Sequence, residues 1–131
     1  MSQEREEGLK IFEEVYGEEM ARGMTAFIAS SHDFGVKQAE WTLDWAFGSV
    51  WAREGLERKL RSCVVLGMLI GLRAQGEIKF HTKMGIANGL TRQELEEIFY
   101  TAIPYAGFPA ANFAKAAMLE AFAELDSKEV K

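Results

Sequence analysis

The sequence predicts an all-α fold: a single domain built as a helical bundle of about six to seven helices. Three observations carry this expectation. Apolar residues recur at helical spacing along nearly all of the 131 residues, and strand signals are weak. The chain has only two prolines, Pro104 and Pro109, both late. Glycines and capping residues fall between the periodic stretches, where helices stop and start. With 48% hydrophobic and 27% charged residues, the composition is that of a globular chain rather than a disordered one.

The first helix is expected from Gln3 to Tyr16, with Leu9, Phe12 and Tyr16 on one face, Ile11 and Val15 flanking it, and Gly17 as its stop. A second runs from about Glu18 to Ala29 and ends at Ser30-Ser31-His32-Asp33. The third, Val36 to Trp51, carries Trp41, Trp45, Phe47 and Trp51. That aromatic load suits a core, and equally the wall of a site for a flat, unsaturated ligand. The fourth helix, from near Leu56 to about Ala74, begins with Glu57, Arg58, Lys59 and Arg61. From Cys63 to Leu72 it has no strongly polar side chain, so it is expected to be buried all round once subunits assemble. Cys63, Gly67 and Gly71 recur every four residues and form a groove for another helix. A mid-helix glycine costs about 1 kcal/mol relative to alanine, which points to a packing reason for the stripe.

Gly76 is expected to break the chain before a fifth helix, Glu77 to Asn88, capped by Gly89. Thr91-x-x-Glu94 reads as a capping box opening the sixth helix. Pro104 is expected to kink or end that helix. Pro109 suits the first turn of a seventh helix that reaches about Leu125. One domain is expected over residues 5–125 with a frayed tail over 126–131, and no internal repeat or linker is visible.

The net charge of −5 argues against a general nucleic-acid binder. One cysteine permits neither an intrachain disulfide nor a cysteine-rich zinc site. Residues 2–7 are polar and unlike an export signal, and the apolar run Cys63–Leu72 is too short to span a bilayer. A cytoplasmic protein with no membrane partner is expected.

Glu77 and His81 are four residues apart and share a helix face. A carboxylate there orients an imidazole and raises its pKa, which prepares a general acid or base; the same spacing also makes surface salt bridges. Arg58 and Arg61, three apart, suit bidentate capture of carboxylates, while Glu57 is placed to pair with Arg61 along the helix. His32 reads as a turn residue, and Cys63 as a small buried residue. With two histidines and no metal-helix spacing, no metal site is expected.

Several stretches taken in order resemble the carboxymuconolactone decarboxylase family, of the alkylhydroperoxidase-D-like fold. They are Phe47-Gly48-Ser49-Val50-Trp51, then Gly55-Leu56-Glu57-Arg58-Lys59-Leu60-Arg61-Ser62, then Glu77-Ile78-Lys79-Phe80-His81. Asn88-Gly89-Leu90-Thr91 with Glu94-Leu95 follows, and Tyr105-Ala106-Gly107-Phe108-Pro109-Ala110-Ala111 closes the series. The resemblance covers about residues 5–125.

The antioxidant branch of that superfamily uses Cys-x-x-Cys-x-x-x-His. Aligned on His81, its cysteines fall at positions 74 and 77, where this chain has Ala74 and Glu77. Thiol-dependent peroxide reduction is therefore disfavoured. The resemblance instead implies a decarboxylase without metal or organic cofactor, acting on a carboxylated lactone such as 4-carboxymuconolactone in aromatic-compound breakdown. It implies that Arg58 or Arg61 anchors carboxylate, that His81 delivers a proton or supports an oxyanion with Glu77 orienting it, and that Trp51 and Tyr105 line the pocket. It also implies a trimeric or hexameric ring. A non-catalytic small-molecule-binding oligomer is the remaining alternative.

Overall fold

The computed structural model describes residues 1–30 and 32–129, so Ser31 of the expected turn and Val130 and Lys131 of the tail lie outside the described residues. Among them the fold is all-α, with no strand. Its elements are α1 (Gln3–Tyr16), α2 (Glu18–Ser30), α3 (Val36–Trp41) continuing into a π-helix (Thr42–Trp51), α4 (Arg58–Leu72), α5 (Gln75–Ala87), α6 (Arg92–Ala106) and α7 (Phe108–Glu129). They gather into two compact units, Met1–Leu56 and a second from Glu57 onward.

In the first unit, the Ser2 hydroxyl caps α1 by accepting from the Arg5 backbone N–H. The buried face of α1 is Gly8, Ile11, Phe12 and Val15, one position round from the expected stripe. Leu9 and Tyr16 are only half-buried. The reason is Gly8: a Cβ there would lie 1.7 Å from the Leu43 carbonyl oxygen, so α1 meets the π-helix backbone to backbone. Gly48 does the same from the other side, 2.1 Å from the Glu4 carbonyl oxygen by the same measure. Arg5 clamps this contact with a two-pronged ion pair to Asp44, its second prong at 2.8 Å. The hydrogen bond lowers the Asp44 carboxyl and raises the Arg5 guanidinium from their usual values.

The third predicted helix therefore divides. It is α-helical only to Trp41 and then rewinds to the wider π form, an uncommon geometry over ten residues. Leu43, Phe47 and Trp51 recur every four residues on its buried side, and Phe47 stacks on Trp51 with centroids 6.4 Å apart. Trp41 and Trp45, by contrast, are 61% and 66% exposed. Half of the tryptophan-rich group is core and half is surface.

In the second unit, α4, α5, α6 and α7 share a core containing Leu66, Ile70, Ile78, Leu90, Leu95 and Met118. The buried stripe of α7 is alanine: Ala110, Ala114, Ala117 and Ala121 have no more than 1% exposure, so α7 approaches its neighbours closely. Lys79 and Lys83 of α5 reach Glu124 of α7 at 3.0 and 2.6 Å.

Three expectations are corrected here, the second of them in part. The α4–α5 break is not Gly76, which lies inside α5, but Arg73, a non-glycine residue in the left-handed region at φ 59°. Pro104 does not end α6; the helix runs two residues further and stops at Gly107, φ 94°. The region 126–128 is not frayed: α7 continues, and Asp126 pairs with Arg92, which also lies over the Phe122 ring at 4.6 Å. Within the single chain α4 is buried on one side: Leu66 and Ile70 are inside, whereas Val64, Met68 and Leu72 are 53%, 57% and 75% exposed.

The Gly8–Gly48 contact yields a sharp expectation. Gly48→Ala forces backbone apart and destabilises the first unit by about 3 kcal/mol, the upper end of the usual cost of overpacking. Gly23→Ala in α2, where a Cβ meets nothing within 4 Å, is neutral or gains up to about 1 kcal/mol. Denaturant unfolding of the two variants side by side measures this.

Candidate active site

The second unit carries five of the six residues singled out by sequence. α5 presents Ile78, His81, Thr82, Met84 and Gly85 to the interior, so the imidazole of His81 lies on a helix face otherwise committed to the core. The packing is tight. A Cβ on Gly85 would come within 2.9 Å of Leu90 and 3.7 Å of Leu66. Thr82, fully buried, satisfies its hydroxyl by donating to the Ile78 carbonyl at 2.7 Å.

His81 keeps only 9% of its side chain exposed, and its Nδ1 is buried. Its Nε2 lies 3.7 Å from Oε2 of Glu77, one turn earlier, whose side chain is half exposed. That is an electrostatic distance, longer than a hydrogen bond. Burial pushes the imidazole pKa below its usual value, and the Glu77 charge opposes this without overcoming it. The expected upward shift is thus corrected. Glu77 reaches His81 from the solvent side, where its field is screened, while the core removes water from the ring. The site holds a neutral imidazole at neutral pH, with a carboxylate poised to stabilise the imidazolium when a proton arrives.

Arg58 and Arg61 stand on the first turn of α4, and the Nε atoms of both are buried. The turn has no acidic residue and no side-chain cap from Glu57. Arg58, Lys59 and Arg61 therefore concentrate positive charge at the positive end of a helix dipole, which disfavours the helix and attracts anions. Two other contacts hold the turn. Asn88, at the C-terminal end of α5, donates from Nδ2 to the Ser62 hydroxyl at 2.9 Å and lies 3.5 Å from the Arg58 carbonyl oxygen. Lys59 pairs with Glu94 at 3.2 Å, and Glu94 also closes the Thr91 capping box. The backbone hydrogen bond from Thr91, then Lys59, lowers the Glu94 carboxyl.

Tyr105 stands apart. It is 90% exposed and lines a groove of about 530 Å³ between α4 and α6, with Cys63, Gly67 and Gly71 on the opposite wall. Neither His81 nor the arginines line that groove. Trp51 belongs to the first unit, where it is buried beside Phe47. The site residues found together are therefore Glu77 with His81, and Arg58 with Arg61. Asn88 and Ser62 escaped the sequence reading: an Asn before a Gly at a helix end looks like a cap, and nothing local says that its side chain crosses to α4. Among the described residues, no group of three His, Cys, Asp or Glu side chains is placed to hold a metal.

The depressed His81 pKa has a signed consequence for stability. The folded state resists protonation of the ring and the unfolded state does not, so this contribution is complete above the unfolded pKa of about 6.5. It declines as pH falls below that value, levelling once the folded pKa is passed. The melting temperature of the wild type should fall more steeply from pH 7 to 5 than that of His81→Gln. Parallel profiles would show that the ring is not desolvated.

The model of the carboxymuconolactone decarboxylase family matches residues 38–120, a span that includes Trp51, both arginines, Glu77, His81 and Tyr105. The nitrosuccinic acid decarboxylase of Metarhizium robertsii is 36% identical over 105 residues, covering 80% of this chain and 71% of the relative. The 4-carboxymuconolactone decarboxylase of Acinetobacter baylyi is 32% identical over 123 residues, covering 94% and 90%. With the buried His81, the family match and these two relatives in agreement, the chain belongs to the carboxymuconolactone decarboxylase family.

Proposed function

We propose that this protein is a cofactor-independent decarboxylase of a small dicarboxylic acid, such as the carboxylated lactone 4-carboxymuconolactone, in aromatic-compound catabolism. The observation that carries the reading is the desolvated His81 with Glu77 at 3.7 Å, in a chain whose relatives are decarboxylases. The two acids named for those relatives are alike around the bond that breaks. Each has carboxylates on adjacent carbons, the skeleton of succinate. Each also bears an electron acceptor on the carbon that loses CO₂: a nitro group in one, a double bond leading to the lactone carbonyl in the other. The substrate class proposed for this chain is a succinate of that kind.

The step balances without an added electron carrier. The C–CO₂ bond breaks, and its electron pair passes into the acceptor, giving a dienolate or nitronate oxyanion. The pair then returns to carbon as one proton adds, so one proton is consumed for each CO₂ released. The acceptor supplies the electron sink that a cofactor supplies elsewhere. The protein has to hold the retained carboxylate, stabilise the oxyanion and bring the proton. Arg58 and Arg61 anchor carboxylate. His81 donates to the oxyanion or to carbon, and Glu77 favours the imidazolium through which the proton passes.

The working unit is proposed to be a homo-oligomer. Gly67, mid-helix, and Gly71, in the last turn of α4, have nothing within 4 Å of a Cβ, so no packing inside the chain accounts for them. Val64, Met68 and Leu72 stand exposed on the same helix. A second copy seated on α4 accounts for both features.

His81→Ala should lower kcat on 4-carboxymuconolactone by about 10²- to 10⁴-fold with circular dichroism unchanged. Arg58→Ala or Arg61→Ala should act mainly on KM, and the loss should shrink for an analogue lacking one carboxylate. A His81→Ala enzyme as fast as the wild type would refute the assignment. Light scattering after size-exclusion chromatography tests the assembly. A stable particle of the single-chain mass, 14.7 kDa, contradicts it, and Gly67→Leu should dissociate the oligomer.

A further inference from the structure

The first turn of α4 carries Arg58, Lys59 and Arg61 at the positive end of its helix dipole, and it has to be ready before an anion arrives. Its N-cap residue, Glu57, makes no side-chain capping bond to the helix. The α5–α6 connection reaches it at three points. Asn88 bonds Ser62, which is fully buried, and lies against the Arg58 carbonyl. A Cβ on Gly89 would meet the Lys59 stem at 3.8 Å. Glu94 pairs with Lys59. Only the Asn88 bond enters the interior; the Lys59 pair is exposed on both sides, where it contributes little. Asn88 itself sits at φ −85° and ψ 1°, a backbone open to other residues, so its side chain is not needed for the turn it occupies.

We infer that Asn88 is a positioning residue for substrate capture: by bonding Ser62 across the α4–α5 contact, it keeps the first turn of α4 wound and the arginine pair in place when no anion is bound. This rests on the reading of Arg58 and Arg61 as the carboxylate anchors. Asn88 touches neither substrate nor reacting atoms. Its effect is to preorganise, so its loss should appear as weaker binding, not slower chemistry. A bound dicarboxylate adds favourable charge at the helix N-terminus and restores the order of the turn, which leaves kcat near its wild-type value.

The test pairs a local structural readout with a binding readout on the full chain. Residue-resolved amide hydrogen exchange compares wild type with Asn88→Ala at Arg61, Ser62 and Cys63. Of these, the Arg61 amide bonds the Glu57 carbonyl at 2.9 Å. Exchange should rise at least about tenfold at these amides and change little at Lys83 to Gly85 of α5. KM for 4-carboxymuconolactone should rise at least about fivefold with kcat within about twofold, and the Kd of succinate, an inert probe, should rise in parallel. Asn88→Ser serves for the same measurements if the alanine variant does not fold. Unchanged exchange at the turn overturns the inference, as does equal acceleration across α5 and α7, which marks general destabilisation. So does a fall in kcat at constant KM. If Asn88→Ala frees the turn but Arg58→Ala and Arg61→Ala leave both KM and succinate binding unmoved, the anchoring reading fails, and with it the role in capture.

Discussion

The chemistry proposed for this chain depends on one act of desolvation. α5 turns a face of Ile78, His81, Thr82, Met84 and Gly85 into the second unit, and one of those five is an imidazole. Packed on that face, the ring keeps only 9% of its side chain exposed. A histidine so placed stays neutral at neutral pH, and its nearest carboxylate is held just beyond hydrogen-bond distance. The arrangement avoids a permanent ion pair, which would lock the proton in place. It leaves a ring that gains a proton more readily once an anion binds nearby.

The second constraint opposes the first in sign. α4 begins with cations where a helix prefers anions, and Asn88 at the end of α5 bonds Ser62 beside that first turn. Stability is given up locally for a field that draws anions. In the first unit the governing contact is steric instead: Gly8 and Gly48 bring α1 and the π-helix backbone to backbone, with Arg5 and Asp44 clamping the join.

Much of this was legible in the sequence where local rules dominate. The bounds of α1, the Thr91–Glu94 capping box and the all-α class follow from periodicity and caps. The pairing of Glu77 with His81 follows from helical spacing. What escaped has a tertiary cause. The π-helix after Trp41 accompanies contact with α1, which no local propensity encodes. Arg73 takes a left-handed conformation that would be assigned to the nearby Gly76. The direction of the His81 shift depends on how much core surrounds the ring, and spacing to Glu77 says nothing of that. The link from Asn88 to Ser62 joins residues 26 apart, and the asparagine's local context explains it fully as a cap.

The central claim is that the substrate carries its own electron sink while this chain supplies charge and a proton. The most direct measurement is CO₂ release by the wild-type protein from two compounds: 4-carboxymuconolactone, and the same lactone with its ring double bond reduced. Both carry the adjacent carboxylates, and only the first can pass the electron pair to the carbonyl oxygen. The account predicts stoichiometric CO₂ from the unsaturated lactone and none from the saturated one. Release from both at similar rates, or from neither, would contradict it.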